Sequence, residues 1–171
     1  VLQTGEISVS ELQTARRLSR LLDAFYNTPA WQELTRELIL NDRRFLYRFL
    51  AYLTEANLID QPMSLERRGL VLYEYCKQYY PDYRTQASIA WIEAGMSLKK
   101  LPAEHVKTKR QIPPEHWEVI YGNYKPELRL CFLPVSTDTE HGYWFGFESE
   151  IQKSSTGLQS ADLKQATPYY I

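Results

Sequence analysis

The residues best suited to chemistry in this chain are its three histidines, His105, His116 and His141. None of them has a second histidine four positions away or a cysteine close by, so the ligand spacing of a zinc site is absent. His141 follows Asp138 and Glu140 in a polar stretch, where a functional histidine and a solvated turn are both open interpretations. We favour the solvated turn, and the sequence predicts no metal-ligating residue.

Two pairs of glutamates have the spacing of a general acid and a general base. Glu33 and Glu37 are one helical turn apart, with Arg36 between them. Glu148 and Glu150 share one face of a predicted strand. Exposed faces commonly carry charges at these spacings, and no G-x-G-x-x-G, P-loop or G-x-S-x-G pattern occurs. The sequence therefore predicts no catalytic and no cofactor-binding residue in this chain.

A basic run extends from Lys99 to Arg110, where five basic residues accompany one acid, Glu104. The run could contact phosphates or an acidic partner. However, aromatic residues do not interleave with it as a nucleic-acid platform requires. We favour a solvated linker.

A group of aromatic residues could line a pocket for a flat ligand or form part of a core. Its members are Tyr73, Tyr75, Tyr79, Tyr80, Tyr83 and Trp91. Core packing between the fourth and fifth predicted helices is the favoured interpretation.

Composition restricts the classes of function. The 171 residues fit one domain with a small appendage, and 44% apolar with 24% charged residues is ordinary for a globular protein. A net charge of -1 indicates neither a nucleic-acid nor an anionic-membrane partner. Cys76 and Cys131 lie too far apart for a metal knuckle, and both resemble small buried apolar residues. With no membrane span or signal peptide visible, we expect a cytoplasmic protein.

The first predicted helix is amphipathic and opens with Ser8 and Glu11 at the spacing of a capping box. Arg16, Arg17 and Arg20 lie largely opposite its apolar face. That face consists of Leu12, Ala15, Leu18, Leu22 and Phe25. Because a helix with one apolar stripe needs a surface to lie on, this helix should dock on the rest of the chain or on another domain.

Four more helices are predicted after a helix stop and start at Asp23–Trp31. Thr28 should cap the second helix, with Pro29 at its first position, and the third should run from about Arg43 to Asn57. Ser64 should cap the fourth helix and Asp82 the fifth, which should end near Gly95. Short connections between them imply antiparallel neighbours.

The last part of the chain carries strand patterns. Glu127–Leu133 and Tyr143–Ile151 predict a β-hairpin, and because a lone hairpin is marginal in water it should pack on the helices or gain a strand. Either Tyr169–Ile171 or Trp117–Tyr121 could supply it, whereas the segment 152–165 is polar and weakly patterned.

The predicted fold is mainly α: an antiparallel bundle of about five helices with a C-terminal β-hairpin, α+β in total. The expected parts are a terminal helix at 1–27, a helical bundle at 28–98, a basic, proline-containing linker at 99–126 and a hairpin appendage at 127–171. Since the chain begins at Val1 without methionine, we expect a fragment of a longer protein, although a trimmed start would look the same.

The helix that ends in Phe25-Tyr26-Asn27-Thr28, after Glu6-Ile-Ser-Val-Ser-Glu11, resembles the end of the barrel in B12-binding radical-SAM proteins. These include Fe–S oxidoreductases and anaerobic magnesium-protoporphyrin monomethyl ester cyclases. From Trp31 to about Arg110 the chain resembles the helical C-terminal domain of unknown function that follows the barrel in one branch. The local cues are Arg44–Phe49, Ser64–Arg67 and Tyr73-Glu74-Tyr75.

This resemblance implies that the helix at 1–27 is the end of an upstream radical-SAM domain. It also implies that the remainder is an accessory region whose partners are the radical-SAM and B12-binding domains of the same chain. A 4Fe–4S cluster, S-adenosylmethionine and cobalamin are implied for the full-length protein and none for this chain. Cys76 and Cys131 cannot supply the C-x-x-x-C-x-x-C triplet, and the D-x-H-x-x-G cobalamin pattern is missing. No catalytic residue is carried over.

Three functions follow as hypotheses. The first is a non-catalytic accessory region of a radical-SAM oxidoreductase that shapes substrate access or partner binding. The second is a stand-alone helical interaction module that binds a protein through Arg16, Arg17 and Arg20 or through the basic linker. The third is a small hydrolase or transferase. The first predicts that Leu12, Leu18 and Leu22 are less well covered than Phe45, Phe49 and Leu53.

Overall fold

The computed structural model describes residues 7–103, 105, 114–123, 129–135, 141–153, 159–165 and 169–170. Within these ranges the side chains of residues 119, 123, 129, 147–153, 159–165 and 169 are not described. The chain divides into two compact units between Ala90 and Trp91. That point lies inside a helix and is not among the boundaries that the sequence predicts.

Helices make up the first unit. They are α1 (Val9–Leu21), a π-helical turn (Leu22–Tyr26), α2 (Pro29–Asn41), α3 (Phe45–Glu55), α4 (Leu65–Tyr79), a 3-10 turn (Pro81–Tyr83) and α5 (Arg84–Glu93), which continues past the division. Among the described residues, no helix is both long enough and apolar enough to cross a membrane.

Of the four helix caps that the sequence predicts, two form the expected side-chain hydrogen bond. Ser8 and Glu11 form the predicted capping box, and the Ser64 hydroxyl accepts a hydrogen bond from the amide of Arg67. Thr28 occupies the N-cap position of α2 but donates its hydroxyl to the carbonyl of Asp23, 2.8 Å away. The prediction that Asp82 caps the fifth helix is wrong, because Asp82 lies within a 3-10 turn and α5 begins at Arg84.

The core of the first unit is an aromatic cluster centred on α3. Phe45 and Phe49 are completely buried, and their rings stack with centroids 5.5 Å apart. Phe25 meets Phe49 edge-on at 4.9 Å, and Tyr75 of α4 lies 4.7 Å from Phe49. Edge-to-face and tilted geometries of this kind add to the energy of apolar burial. The cluster therefore fixes α3 between α4 and the turn that follows α1.

The second unit contains the end of α5, 3-10 turns at Leu98–Lys100 and Pro114–His116, helix α6 (Trp117–Asn123) and a four-stranded antiparallel sheet. Its strands are β1 (Arg129–Pro134), β2 (Gly142–Lys153), β3 (Gln159–Gln165) and β4 (Tyr169–Tyr170). Because Tyr143 and Trp144 pair with both β1 and β4, β4 and β1 lie on opposite edges of β2. The long strand β2 organises the sheet.

Strand β1 is buried on both faces, since Leu130, Cys131, Phe132 and Leu133 are all covered. The turn into β2 needs Gly142: a Cβ there would collide with the carbonyl of Leu133 and lie 2.7 Å from Cζ of Phe132. Close approach of backbone and ring explains glycine at this position.

The mainly helical, α+β fold with a C-terminal hairpin is confirmed. The hairpin gains the strand predicted at Tyr169–Tyr170, whereas Trp117–Asn123 is helical and supplies none. Strand β3 was not foreseen from its polar sequence. Its backbone pairs with β2 from Phe147↔Gln165 to Lys153↔Gln159, a type of contact that does not require apolar side chains.

Candidate functional site

The most unusual surface of the described chain is the apolar face of α1. Three large apolar residues at its start are exposed, with Ile7 at 62%, Val9 at 73% and Leu12 at 55% of full accessibility. At its end, Leu21 and Phe25 are completely buried. The same helix is thus anchored at one end and uncovered at the other.

The predicted order of coverage is confirmed. Leu12 is exposed and Leu18 and Leu22 are half-buried, whereas the three comparison residues on α3 are completely buried: Phe45, Phe49 and Leu53. The first turns of α1 therefore lack the cover that α3 has.

The anchored end of α1 is held by one carboxylate from the connection between α3 and α4. Arg17 donates to Oδ2 of Asp60 from Nη2 at 2.6 Å and from Nε at 3.0 Å. Arg20 donates from Nη1 to Oδ1 at 2.8 Å. The hydrogen bond from Arg17 is the main reason that the pKa of Asp60 is lowered. Two of the three arginines on the polar face therefore form ion pairs with a residue of the same chain.

A cleft of about 430 Å³ lies beside this anchor. Its wall includes Arg20, Asp23 and Ala24 from the end of α1, the segment Ile59–Met63, and Arg68 from α4. The Nε atom of Arg68 is buried and has no hydrogen-bond partner among the residues that the structure describes. A buried, unpaired guanidinium nitrogen is costly, which marks this cleft as a candidate binding site.

A second groove runs along the other side of α1. It has a volume of about 390 Å³ and is lined by Thr14 and Arg17 of α1 and by residues of α3, namely Tyr47, Leu50, Ala51, Thr54 and Glu55. Tyr47 is 64% exposed. This groove places an exposed aromatic residue of α3 beside α1.

The three histidines have separate surroundings. His116 is buried in the second unit, where Nε1 of Trp144 donates to its Nδ1 at 3.1 Å. An indole nitrogen only donates, so Nδ1 of His116 is unprotonated in this arrangement. Nδ1 of His105 lies 2.8 Å from the carbonyl of Ala103, and the exposed His141 accepts the amide of Val135 at its own carbonyl. None of the three lines the clefts beside α1.

The other chemical candidates from the sequence lie apart from these clefts. Glu33 and Glu37 are both exposed on α2. Glu148 and Glu150 lie in β2, and their side chains fall outside the described residues, as does most of the basic run beyond Lys100. Within the described ranges, no group of three His, Cys, Asp or Glu residues is placed to hold a metal ion.

Part of the predicted aromatic cluster packs in the core of the first unit. Tyr75, Tyr79 and Tyr80 of the α4 region contact Phe45, Phe49 and Tyr52 of α3. Cys76 lies in the same helix, where burial raises the pKa of its thiol to about 12. Such a thiol stays protonated at neutral pH and is a poor nucleophile.

The sequence alone does not single out Asp60 and Arg68, two of the four charged residues that line the cleft. Asp60 lies in a connection whose local pattern indicates only the end of a helix. Arg68 follows Arg67 at the start of a helix, and no local pattern distinguishes the half-buried arginine from the exposed one.

Comparison with known proteins adds no relative: no protein-family model, curated protein or solved structure matches this chain.

Proposed function

We propose that this chain is a non-catalytic accessory region that docks, through the start of α1, on the barrel of a B12-binding radical-SAM oxidoreductase. It would shape substrate access or hold a partner at the barrel. The parent protein would be cytoplasmic. The resemblance of Phe25–Thr28 and of the helices after Trp31 to the C-terminal region of such proteins supports the identity of the partner.

The observation that carries the docking proposal is the exposure of Ile7, Val9 and Leu12 on a helix whose other end is buried. A fourth large apolar residue, Tyr47, is exposed along the groove between α1 and α3. Apolar side chains left exposed close together along one helix mark an interaction site more often than scattered single ones do. A folded domain with an apolar surface is therefore the partner that fits.

The basic face of α1 fits a partner less well than the apolar face does. Arg17 and Arg20 already share Asp60, and Arg16 is the one arginine of this face without an ion pair among the described residues. An acidic partner would have to compete with Asp60 for two of three cations. This favours docking by apolar burial over docking by charge.

The iron–sulfur cluster, S-adenosylmethionine and cobalamin belong, in this proposal, to the parent protein. Within the described residues, the donors do not fit a cluster: Cys76 and Cys131 are each buried, one in each unit, and the first lies in an apolar core. No step of the chemistry is therefore assigned to residues of this chain.

The second candidate function is a stand-alone interaction module, which the same exposed face supports. The two candidates differ in where the partner lies. An accessory region has its partner in the same polypeptide, whereas a stand-alone module forms a complex with a separate protein.

The direct test is to determine the residues that the gene encodes before Val1. The proposal expects a radical-SAM barrel that carries the C-x-x-x-C-x-x-C triplet, because three thiolates leave one iron of the cluster open for S-adenosylmethionine. A gene without that triplet contradicts the identity of the partner. A reproducible complex between this chain and a separate protein, lost in Leu12→Glu, would then favour the stand-alone module.

A further inference from the structure

We propose that the cleft between the end of α1, the segment Ile59–Met63 and α4 binds a small zwitterion, an α-amino acid with an apolar side chain. Nothing in the docking proposal requires this site, which stands on its own contacts. Its basis is a pair of opposite charges that line one cleft without meeting each other.

The positive member of the pair is Arg68. Its Nε is buried without a hydrogen-bond partner, and its guanidinium forms no ion pair with the described residues. A guanidinium offers a planar fork of donors that matches the two oxygens of a carboxylate. A ligand carboxylate in the cleft would pair with the terminal nitrogens of this fork, while Nε stays enclosed by the protein.

The negative member is Asp23, one helical turn after the last ion-paired arginine. Its Oδ1 accepts a hydrogen bond from Nδ2 of Asn27 at 2.9 Å, which leaves Oδ2 open. No ion pair joins Asp23 to Arg68 or Arg20, although all three line the same cleft. An ammonium group of the ligand can therefore pair with Asp23 while the ligand carboxylate pairs with Arg68.

The remaining charges of the cleft cancel internally. Arg20 and Asp60 are joined at 2.8 Å, and Asp60 is also held by Arg17. A multiply charged ligand such as phosphate would pair with one cation, Arg68, and would be repelled by two carboxylates, Asp23 and Asp60. The charges that line the cleft sum to zero, and its two charges without an ion pair among the described residues are of opposite sign. This favours a zwitterion over a multiply charged anion.

The rest of the wall is apolar. Ala24, Ile59, Pro62 and Met63 line the cleft between the charged residues. A cleft of about 430 Å³ accommodates an amino acid with a branched apolar side chain and some bound water. A few placed charges in a mostly apolar concave wall are typical of small-molecule sites.

The test is an NMR titration of the ¹⁵N-labelled chain with L-leucine. It is repeated with 4-methylpentanoate, which lacks the ammonium group, and with isopentylamine, which lacks the carboxylate. Saturable shifts are expected at the amides of Ala24, Ile59 and Met63 with L-leucine. Both analogues should bind at least about tenfold more weakly, because each loses one charge-assisted contact.

Two variants test whether Arg68 binds the carboxylate of L-leucine and whether Asp23 binds its ammonium group. Arg68→Met removes the guanidinium and keeps an unbranched apolar stem, and Asp23→Asn removes the negative charge at an exposed position. Each should weaken L-leucine binding at least about tenfold. Arg36→Met is the matched control, since Arg36 is exposed on α2 and does not line the cleft; it should bind like the wild type.

A measurement of stability separates a binding role from a structural one. Because Nε of Arg68 is buried and unpaired, the midpoint of thermal unfolding of Arg68→Met should equal or exceed that of the wild type. A lower midpoint with unchanged L-leucine affinity would make Arg68 a structural residue and overturn the proposal.

Three further results would also overturn it. They are no saturable shift with L-leucine, equal affinity for 4-methylpentanoate, and unchanged affinity in Asp23→Asn. The last variant tests the proposal even if Arg68→Met does not fold.

Discussion

Helices α1 and α3 carry similar apolar stripes in sequence but have different cover in the structure. On α3, Phe45, Phe49 and Leu53 are completely buried. At the end of α1, Leu21 and Phe25 are completely buried, while Leu12 near its start is 55% exposed. An apolar stripe in the sequence thus indicates that a helix must pack against another surface. Only the tertiary structure shows whether that surface belongs to the same chain.

The difference follows from the neighbours of each helix. α3 receives rings from two sides, Phe25 from the end of α1 and Tyr75 from α4. The start of α1 has no comparable aromatic partner among the described residues, and the ion pairs of α1 with Asp60 lie towards its end. A packed core tolerates little loss of volume, whereas an uncovered stripe loses nothing when it is truncated.

The largest effect is expected on α3. Phe49→Ala removes a buried ring at the centre of the aromatic cluster and should lower the free energy of unfolding by about 3–5 kcal/mol. Urea unfolding followed by circular dichroism measures it. A loss below about 1 kcal/mol would mean that Phe49 is not a core residue.

The next effect is at the anchored end of α1. Leu21→Ala should lower the free energy of unfolding by about 2–4 kcal/mol, because Leu21 is completely buried. The same urea experiment applies, with Leu40→Ala as the control, since Leu40 of α2 is 83% exposed. Equal, small losses in both variants would show that α1 is not docked on the first unit at all.

Acid should lower the free energy of unfolding, because one carboxylate at α1 and one at α3 become protonated. Asp60 binds α1, and Asp42 accepts hydrogen bonds from the amide of Arg44 and from the hydroxyl of Tyr80, which are the main reasons that its pKa is lowered. A carboxyl whose pKa is lower in the folded state stabilises the fold above its unfolded pKa, and this stabilisation is lost as pH falls through the folded pKa. Stability should therefore decline below about pH 4, the ordinary range of aspartate.

Asp60→Asn and Asp42→Asn should each reduce that decline, measured by urea unfolding across pH 2–6. The two carboxylates should differ in how strongly added salt reduces their contribution to stability. The side chain of Asp60 is 49% exposed and that of Asp42 is 21% exposed, so added salt should weaken the contribution of Asp60 more. Equal sensitivity to salt would contradict the difference between an exposed anchor on α1 and a partly buried one at α3.

The smallest effect is expected at the start of α1. Leu12→Ala should change the free energy of unfolding by less than about 0.5 kcal/mol, because the side chain is already exposed. A loss of about 2 kcal/mol or more would show that this chain covers Leu12 in solution, and the comparison of α1 with α3 would fail.

Local patterns in the sequence predicted the local features of the fold. The capping box at Ser8 and Glu11, the cap at Ser64 and the turn at Gly95, whose φ is +70°, all depend on residues within one turn of each other. The coverage of α1 relative to α3 was also predicted, from the interpretation of α1 as the last helix of a separate domain.

Features that depend on distant residues were not predictable. Asp60 meets Arg17 and Arg20 across 43 and 40 positions, and no local spacing encodes that contact. Strand β3 has a polar sequence and pairs with β2 through its backbone, which leaves no apolar alternation to detect. Arg68 and Asp23 form a candidate site only because the fold brings α4 beside the end of α1.

The central claim is that the uncovered start of α1 is a docking surface for another domain of the parent protein. Amide hydrogen exchange measured along α1 and α3, in this chain alone and in the full-length gene product, tests it most directly. In this chain, amides between Glu11 and Ala15 should exchange at least about 100-fold faster than those between Phe49 and Leu53, because a poorly packed helix end opens locally. In the full-length product, exchange at the start of α1 should slow by at least about tenfold while α3 stays unchanged. Identical exchange at the start of α1 in both proteins would contradict the claim.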